Sequence, residues 1–239
     1  MSLWRQVEEA LIEEIKSGKF EAEQRLPASD VLAQRFGVNR HTILKAVSHM
    51  QAEGYVRVER GRGTFVVVNR LAFRLGERRW FEQNLLESQR VPRRTIVSIE
   101  EIKPDKTIAA ALGVTRKDPV LFMKLLGEAD DLPVNFGYNY FPLSRFPEIE
   151  NAFRDIGTEP TERLSFSDVF ETVGIRDWRR KSIRIRSRLP SDEEAWQLRI
   201  ASTEHVLETE VTSVLADDVP LIYAKTGYSS SRVELVMEL

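Results

Sequence analysis

The sequence predicts an α+β protein of two domains: an N-terminal winged helix-turn-helix, then an antiparallel sheet that carries helices. Three observations predict it. Residues 4–50 hold three short stretches of helical periodicity, and two alternating stretches follow around Arg60-Gly61-Arg62-Gly63. Residues 103–134 and 189–221 repeat one another. Positive charge is local: residues 31–70 carry Arg35, Arg40, Lys45, Arg57, Arg60, Arg62 and Arg70 against Glu53 and Glu59, a net of +5 on a chain whose total is −2. The expected boundaries are 1–68 for the head, 69–79 for a polar linker and 80–239 for the second domain.

Trp4, Val7, Leu11 and Ile15 recur at three- and four-residue spacing, one face of a first helix ending near Gly18. Leu26-Pro27 restricts the chain before a second helix with Ala28, Leu32 and Phe36 on one side. Gly37 stands where a left-handed cap is needed, and Asn39 is a good N-cap for the third helix. In that helix Ile43, Val47 and Met50 are expected inside; Arg40, His41, Leu44, Lys45 and Ser48 share the opposite face, and Gly54 ends it. Tyr55–Glu59 and Thr64–Val68 read as strands, with residues 60–63 at a hairpin tip.

A basic segment on an acidic chain suggests a surface for a polyanion. A third helix of this kind enters the major groove of double-stranded DNA with its N-terminal residues at base edges. Arg40 can pair bidentately with a guanine, and Leu44 can touch a thymine methyl. Asn39 and Thr42 can hold phosphates with help from the helix N-terminus, and Lys45 suits a backbone contact. His41 lies on the same face. Gly61 and Gly63 let the wing approach the minor groove closely, with Arg62 reaching in. The plainer alternative is that Asn39 only caps, Arg40 is only solvated and the glycines only turn.

The run LPASDVLAQRFGVNRHTILKAVSHMQAEGYVRVERGRGTFV, residues 26–66, resembles the GntR family of bacterial transcription regulators. The resemblance implies a DNA-binding head. Two positions depart from it: Leu44 and Asp30 stand where the family often has basic or polar residues, so an operator sequence is not transferable. One recognition helix reads few base pairs, so a homodimer on a palindromic operator is expected.

In the second domain Pro104, Ala109, Leu112 and Val120 align with Pro190, Ala195, Leu198 and Val206, and Asp130-Asp131-Leu132-Pro133 with Asp217-Asp218-Val219-Pro220. Each copy reads as helix, strand, turn and strand, which predicts one antiparallel sheet with quasi-two-fold symmetry. The stretch RRKSIRIRSR, residues 179–188, alternates isoleucine with arginine and offers a row of guanidiniums suited to an anion. Its alternative role is a solvated face balanced by nearby glutamates. Tyr138, Tyr140, Tyr223 and Lys225 lie on the second strands of the repeats and can add donors.

Residues 80–239 resemble the UTRA ligand-binding domain of the HutC branch, a fold similar to chorismate lyase. WFEQNLLES, residues 80–88, following VNRHT, looks most like the PhnF-type regulators of phosphonate metabolism. The resemblance implies a small anionic effector such as a phosphonate or phosphorylated compound. It places Arg180 and Arg184 where relatives carry arginines. Leu125, Gly127 and Ile222 depart, since relatives often carry arginines at the first two positions and glutamate at the third, which argues against a standard amino-sugar-phosphate site.

Other classes find little support. No cysteine is present, no apolar run reaches the ~20 residues of a membrane helix, and the acidic N-terminus is no secretory signal, so a cytoplasmic protein with no membrane partner is expected. His41, His49 and His205 do not cluster at metal spacing, no phosphate-binding glycine loop follows a strand, and no cofactor is expected. Asp130, Asp131, Asp217 and Asp218 suit turns better than acid–base catalysis. The rival reading is a lyase-like enzyme in the second domain, which leaves the basic head unexplained.

Overall fold

The chain divides into two compact units, residues 1–70 and 71–239. The computed structural model describes residues 2–237 except 18, 21–23, 53, 54, 60, 68, 69, 77–80, 89, 162 and 163. Gly18, Gly54, Arg60, Val68 and Trp80 therefore lie outside the described residues.

In the first unit the apolar spacing sets the core. Helix α1 (Leu3–Lys16) buries Val7 and Leu11, α2 (Ser29–Phe36) buries Leu32, and α3 (Arg40–Ala52) buries Ile43, Ala46, Val47 and Met50. Gly37 closes α2 at φ 63°, a left-handed conformation that glycine adopts without strain. Strands β1 (Val56–Glu59) and β2 (Gly63–Val66) pair antiparallel. Leu26 N donates to Thr64 O at 2.8 Å and Val66 N to Gln24 O at 2.9 Å, so the segment before α2 runs along the wing.

The second unit opens with β3 (Leu71–Leu75) and α4 (Phe81–Glu87), followed by β4 (Pro92–Ile102), α5 (Lys106–Leu112), β5 (Val120–Ala129) and β6 (Leu132–Pro142). Then come α6 (Glu148–Arg154), α7 (Phe166–Thr172), β7 (Trp178–Arg188), α8 (Asp192–Leu198), β8 (Val206–Leu215), β9 (Pro220–Ser229) and β10 (Val233–Met237). Six strands form one antiparallel sheet in the order β4-β5-β6-β9-β8-β7. β3 and β10 pair in parallel beside it.

The linker expectation is corrected here. Residues 71–75 form a strand of the second unit, with Leu71, Phe73 and Leu75 buried. Asn84 of α4 binds its backbone twice: Arg74 N donates to Oδ1 at 2.7 Å, and Nδ2 donates to Arg74 O at 3.2 Å. The alternation of Leu71, Phe73 and Leu75 was present in the sequence but sits among arginines.

The sheet order shows the repeat at full length. Each copy is strand, helix, strand, strand: β4-α5-β5-β6 and β7-α8-β8-β9, meeting where β6 pairs with β9. The helices cross over, α5 packing on β9 and α8 on β6. An arginine just after each copy repeats the pattern. Arg145 donates to Leu112 O at 2.7 Å, the end of α5, and to Pro220 O at 3.2 Å, the start of β9. Arg232 donates to Leu198 O at 2.6 Å, the end of α8, and to Pro133 O at 2.7 Å, near the start of β6. Each guanidinium thus satisfies helix-end carbonyls of its own copy and pins the first residues of the other's last strand.

Hydrogen bonds from a charged donor contribute ~1.5–3 kcal/mol each, and orphaned carbonyls add to the loss. Arg232→Ala should therefore destabilise the full chain by about 3 kcal/mol, and Arg145→Ala by a similar amount, in urea unfolding followed by circular dichroism. Losses below about 0.5 kcal/mol in both would show that these arginines do not join the copies.

Candidate nucleic-acid interface and ligand cleft

At the start of α3, Asn39 Oδ1 accepts from Thr42 N at 2.8 Å and from Thr42 Oγ1 at 2.9 Å. These two residues fix the helix start. Arg40, His41, Leu44, Lys45 and Ser48 form the exposed stripe opposite the buried face. Arg40 is paired with Asp30 of α2 at 3.2 Å. Lys45 Nζ lies 5.0 Å from the ring centre of Trp4 on α1, so this ammonium is braced by a cation–π contact.

At the wing tip Gly61 has φ 76° and Gly63 has φ 123°, which favours glycine at both places. A side chain at position 63 would also strike Arg25, whose Nε lies 2.4 Å from where its Cβ would be. Arg62 pairs with Glu59 at 2.7 Å, and Arg57 pairs with the same carboxylate at 3.0 Å. Both guanidiniums lie over Phe65. Arg25 and Arg57 were not singled out from the sequence, because neither lies on the third helix nor at the hairpin tip. The bridge of Arg25 to Phe65 brings the first of them there.

Not all positive charge in the head is available. Arg35 Nη1 donates to Glu14 Oε2 at 2.8 Å and Lys19 Nζ to Glu14 Oε1 at 2.6 Å. The Arg35 hydrogen bond, with Lys19 beside it, holds the Glu14 carboxyl down to about 2. His49 Nδ1 meets the buried Glu8 carboxylate at 2.5 Å. These groups tie α1 to α2 and α3.

In the second unit a cleft of about 710 Å³, its open mouth included, lies on one face of the sheet. Leu125, Asn139, Thr226 and Ile222 line its floor, and Phe81, Phe166 and Trp178 its walls. Two guanidiniums reach it. Arg94 of β4 lies between Phe81 and Phe166, 4.5 and 5.0 Å from the ring centres, with Nε 2.7 Å from Glu82 Oε1. That contact is an ion pair without hydrogen-bond alignment, and both atoms are buried. Arg180 of β7 donates through Nη1 to Gly76 O at 2.8 Å. Burial, and then the charge of Arg94, pulls its pKa below the usual guanidinium value.

The expected effector residues do not assemble. Arg180 lines the cleft, but Arg184, Tyr138, Tyr140, Tyr223 and Lys225 lie on the opposite face of the sheet. On a regular strand Arg180 and Arg184 share a face. Here a one-residue bulge between Arg180 and Ser182 breaks the alternation, so Arg180 pairs across from Ser213 and Arg184 across from Glu210. Arg184 is 83% exposed, with Glu210 at 3.8 Å. Arg188 binds Glu194 in a fork at 2.6 and 2.7 Å and Glu208 at 2.5 Å, so the guanidinium row is largely neutralised. The tyrosines pack beneath α5 and α8: Phe122, Tyr140 and Tyr223 stack in succession, 5.0 and 5.8 Å apart. Burial pushes Tyr138 and Tyr140 up to about 12 and raises Tyr223 as well. Arg94 and Glu82 were not visible as site residues, because β4 and β7 are opposite edges of the sheet and only the assembled fold brings their side chains to one cleft.

Among the described residues no helix is long and apolar enough to cross a membrane. A winged helix-turn-helix with an exposed basic helix, carried with a sheet domain that holds a charged cleft, defines a transcription regulator with a separate effector domain. Comparison with known proteins agrees. Residues 3–66 match the bacterial regulatory proteins of the gntR family, and residues 87–234 match the UTRA domain. The chain belongs to the UTRA-domain family, with a gntR-type DNA-binding head. It is 28% identical over 239 residues to the HTH-type transcriptional regulator RB1450 of Rhizobium meliloti (strain 1021), covering 100% of this chain and 95% of that one. It is 28% identical over 218 residues to PhnF of Escherichia coli (strain K12), covering 89% of this chain and 86% of that one. The crystal structure of PhnF from Mycobacterium smegmatis superposes with a TM-score of 0.67 at 22% identity, covering 96% of this chain and 97% of that one. The expected resemblance to PhnF-type regulators is thereby borne out, and so is the two-domain α+β fold.

The exposed stripe on α3 yields a prediction. Arg40→Ala should lose about 1–3 kcal/mol of discrimination at one base position in selection from a random duplex library. An equal loss on all sequences would instead make Arg40 a backbone contact.

Proposed function

We propose that this regulator is a repressor that binds a palindromic operator as a homodimer and releases it when a small anionic metabolite occupies the cleft. The exposed stripe of Arg40, His41 and Lys45 with the apolar Leu44 supports base and backbone contacts in the major groove, and Arg62 with its glycines supports a wing contact. Two-fold pairing of heads matches a palindrome and roughly doubles the binding free energy. The charge of Arg94 and Arg180 against Glu82 leaves the described cleft positive, which favours an anion such as a phosphonate, a phosphate ester or a carboxylate.

The observation that carries the regulatory half is the position of Arg180. Its guanidinium lines the cleft and also holds the carbonyl of Gly76, just past β3. A ligand that takes this guanidinium competes with that carbonyl. A ligand shifts an equilibrium only through different affinity for two states, and this competition supplies the difference. The relatives are transcription regulators, and turnover of a small molecule is not part of this reading.

Thermal-shift screening of phosphonates, phosphate esters and carboxylates, followed by operator release in a gel-shift assay, tests the proposal. With a compound that stabilises the wild type, Arg180→Ala should lose both stabilisation and release. Arg184→Ala should keep both. The reverse pattern would move the site to the outer face of the sheet and overturn the cleft reading. Light scattering of the operator complex should find two chains per duplex; one chain would contradict the palindrome.

A further inference from the structure

We infer that Asp30 is a positioning residue for base recognition: its carboxylate steadies the Arg40 guanidinium so that the terminal amino groups meet a guanine edge. The inference rests on the reading of Arg40 as a base contact. Asp30 lies in the first turn of α2, and Arg40 is the first residue of α3. Their closest approach is from Oδ1 to Nε, at 3.2 Å. A carboxylate on the Nε side leaves Nη1 and Nη2 as the leading edge, the pair of donors that a guanine takes at O6 and N7.

Three further observations bear on this. Asn39 already fixes the start of α3 through Thr42, so Asp30 is not needed to hold the helix itself. The side chains are 65% and 77% exposed, so the pair adds little to the stability of the free head. An exposed carboxylate on the basic face also opposes phosphates, so it weakens binding to any duplex. A residue that costs general affinity and adds little stability makes sense if it improves discrimination. Arg40 is long and otherwise loses much rotamer freedom on docking; a partner that restrains it beforehand lowers that loss. Disfavouring wrong sequences is the second effect, because a guanidinium held off the phosphates cannot settle on the backbone. The competing account is that Asp30 only complements the dipole of α2.

The two accounts separate in one experiment. Wild type, Asp30→Ala, Asp30→Glu, Arg40→Ala and the double variant are each put through selection from a random duplex library, with affinity for a scrambled duplex and thermal midpoint measured alongside. Asp30→Ala should bind the scrambled duplex about threefold more tightly. It should lose about tenfold in preference at the one position that Arg40→Ala also loses. Asp30→Glu, which keeps the carboxylate, should retain most of that preference, and the double variant should be no worse there than Arg40→Ala alone. Wild-type preference at that position in Asp30→Ala, with loss in Arg40→Ala, would overturn this inference and leave base reading by Arg40 standing. A lower thermal midpoint with uniform loss of affinity would assign Asp30 to the helix dipole and overturn it as well. Unchanged preferences in Arg40→Ala would remove the base reading itself, and the role of Asp30 with it.

Discussion

The second unit depends on one pairing, that of β6 with β9. It joins two copies of the same strand, helix, strand, strand unit at the middle of the sheet, with Tyr140 opposite Tyr223 and Gly137 opposite Thr226. Arg145 and Arg232 reach across the seam in the same way from either side. Once that register is set, side-chain parity decides which face each paired residue of β6 and β9 takes, and outside them it holds as far as the next bulge. Odd and even positions go to opposite faces, and a slip of one residue would exchange them. One face takes α5 and α8, with tyrosines and phenylalanines beneath them. The other takes α4, α6 and α7 and leaves the cleft between them.

This explains what the sequence made legible. The head reads almost completely from local signals: a cap at Asn39, a left-handed glycine at Gly37, apolar spacing in α3 and glycines at the wing. Each acts within a few residues, where spacing is informative. The repeat was also legible, but only from its helix onward, since β4 and β7 share little sequence pattern. The cleft was not. Its parts come from every strand from β3 to β9 and from α4 and α7, and no spacing rule connects them. The misplacement of Arg184 has a sharper cause: strict alternation assumes an unbroken strand, and the bulge after Arg180 invalidates it. Tyr138, Tyr140, Tyr223 and Lys225 were expected on the second strands of the repeats and lie on β6 and β9, but which face they use depends on β6–β9 register.

The arginines show why charge counting alone cannot find a site. Arg145, Arg188 and Arg232 are each held by several acceptor groups, and Arg35 by both oxygens of Glu14; all four serve the fold. Arg188 is the plainest case, because the buried Glu194 that it neutralises also caps α8, in a reciprocal pair with Ser191. A buried carboxylate in that place needs a matched cation, and removing the cation would leave it unpaired. Arg40 and Arg184 are exposed, and among the described residues each meets one carboxylate, Asp30 and Glu210. Arg94 and Arg180 are the cases that combine burial with a cavity. There desolvation makes a guanidinium strongly responsive to an arriving anion, and water screens it less than at the surface.

The three positions at which the sequence departs from the expected UTRA pattern differ in what surrounds them. Leu125 and Ile222 line the cleft, so their positions are the ones a ligand would meet, although both are apolar. Gly127 has a different reason. A Cβ there would fall 2.5 Å from Asn135 Oδ1 and 2.8 Å from the Phe81 ring. The glycine therefore lets Phe81 lie flat on the sheet, and Phe81 in turn forms one wall of the sandwich around Arg94. An arginine at 127 would expel the ring that steadies the arginine at 94. Charge in the cleft therefore comes from β4 and β7, through Arg94 and Arg180, and not from β5. An anion drawn to those two guanidiniums would be held from β4 and β7, beside the Phe81 ring that the glycine admits.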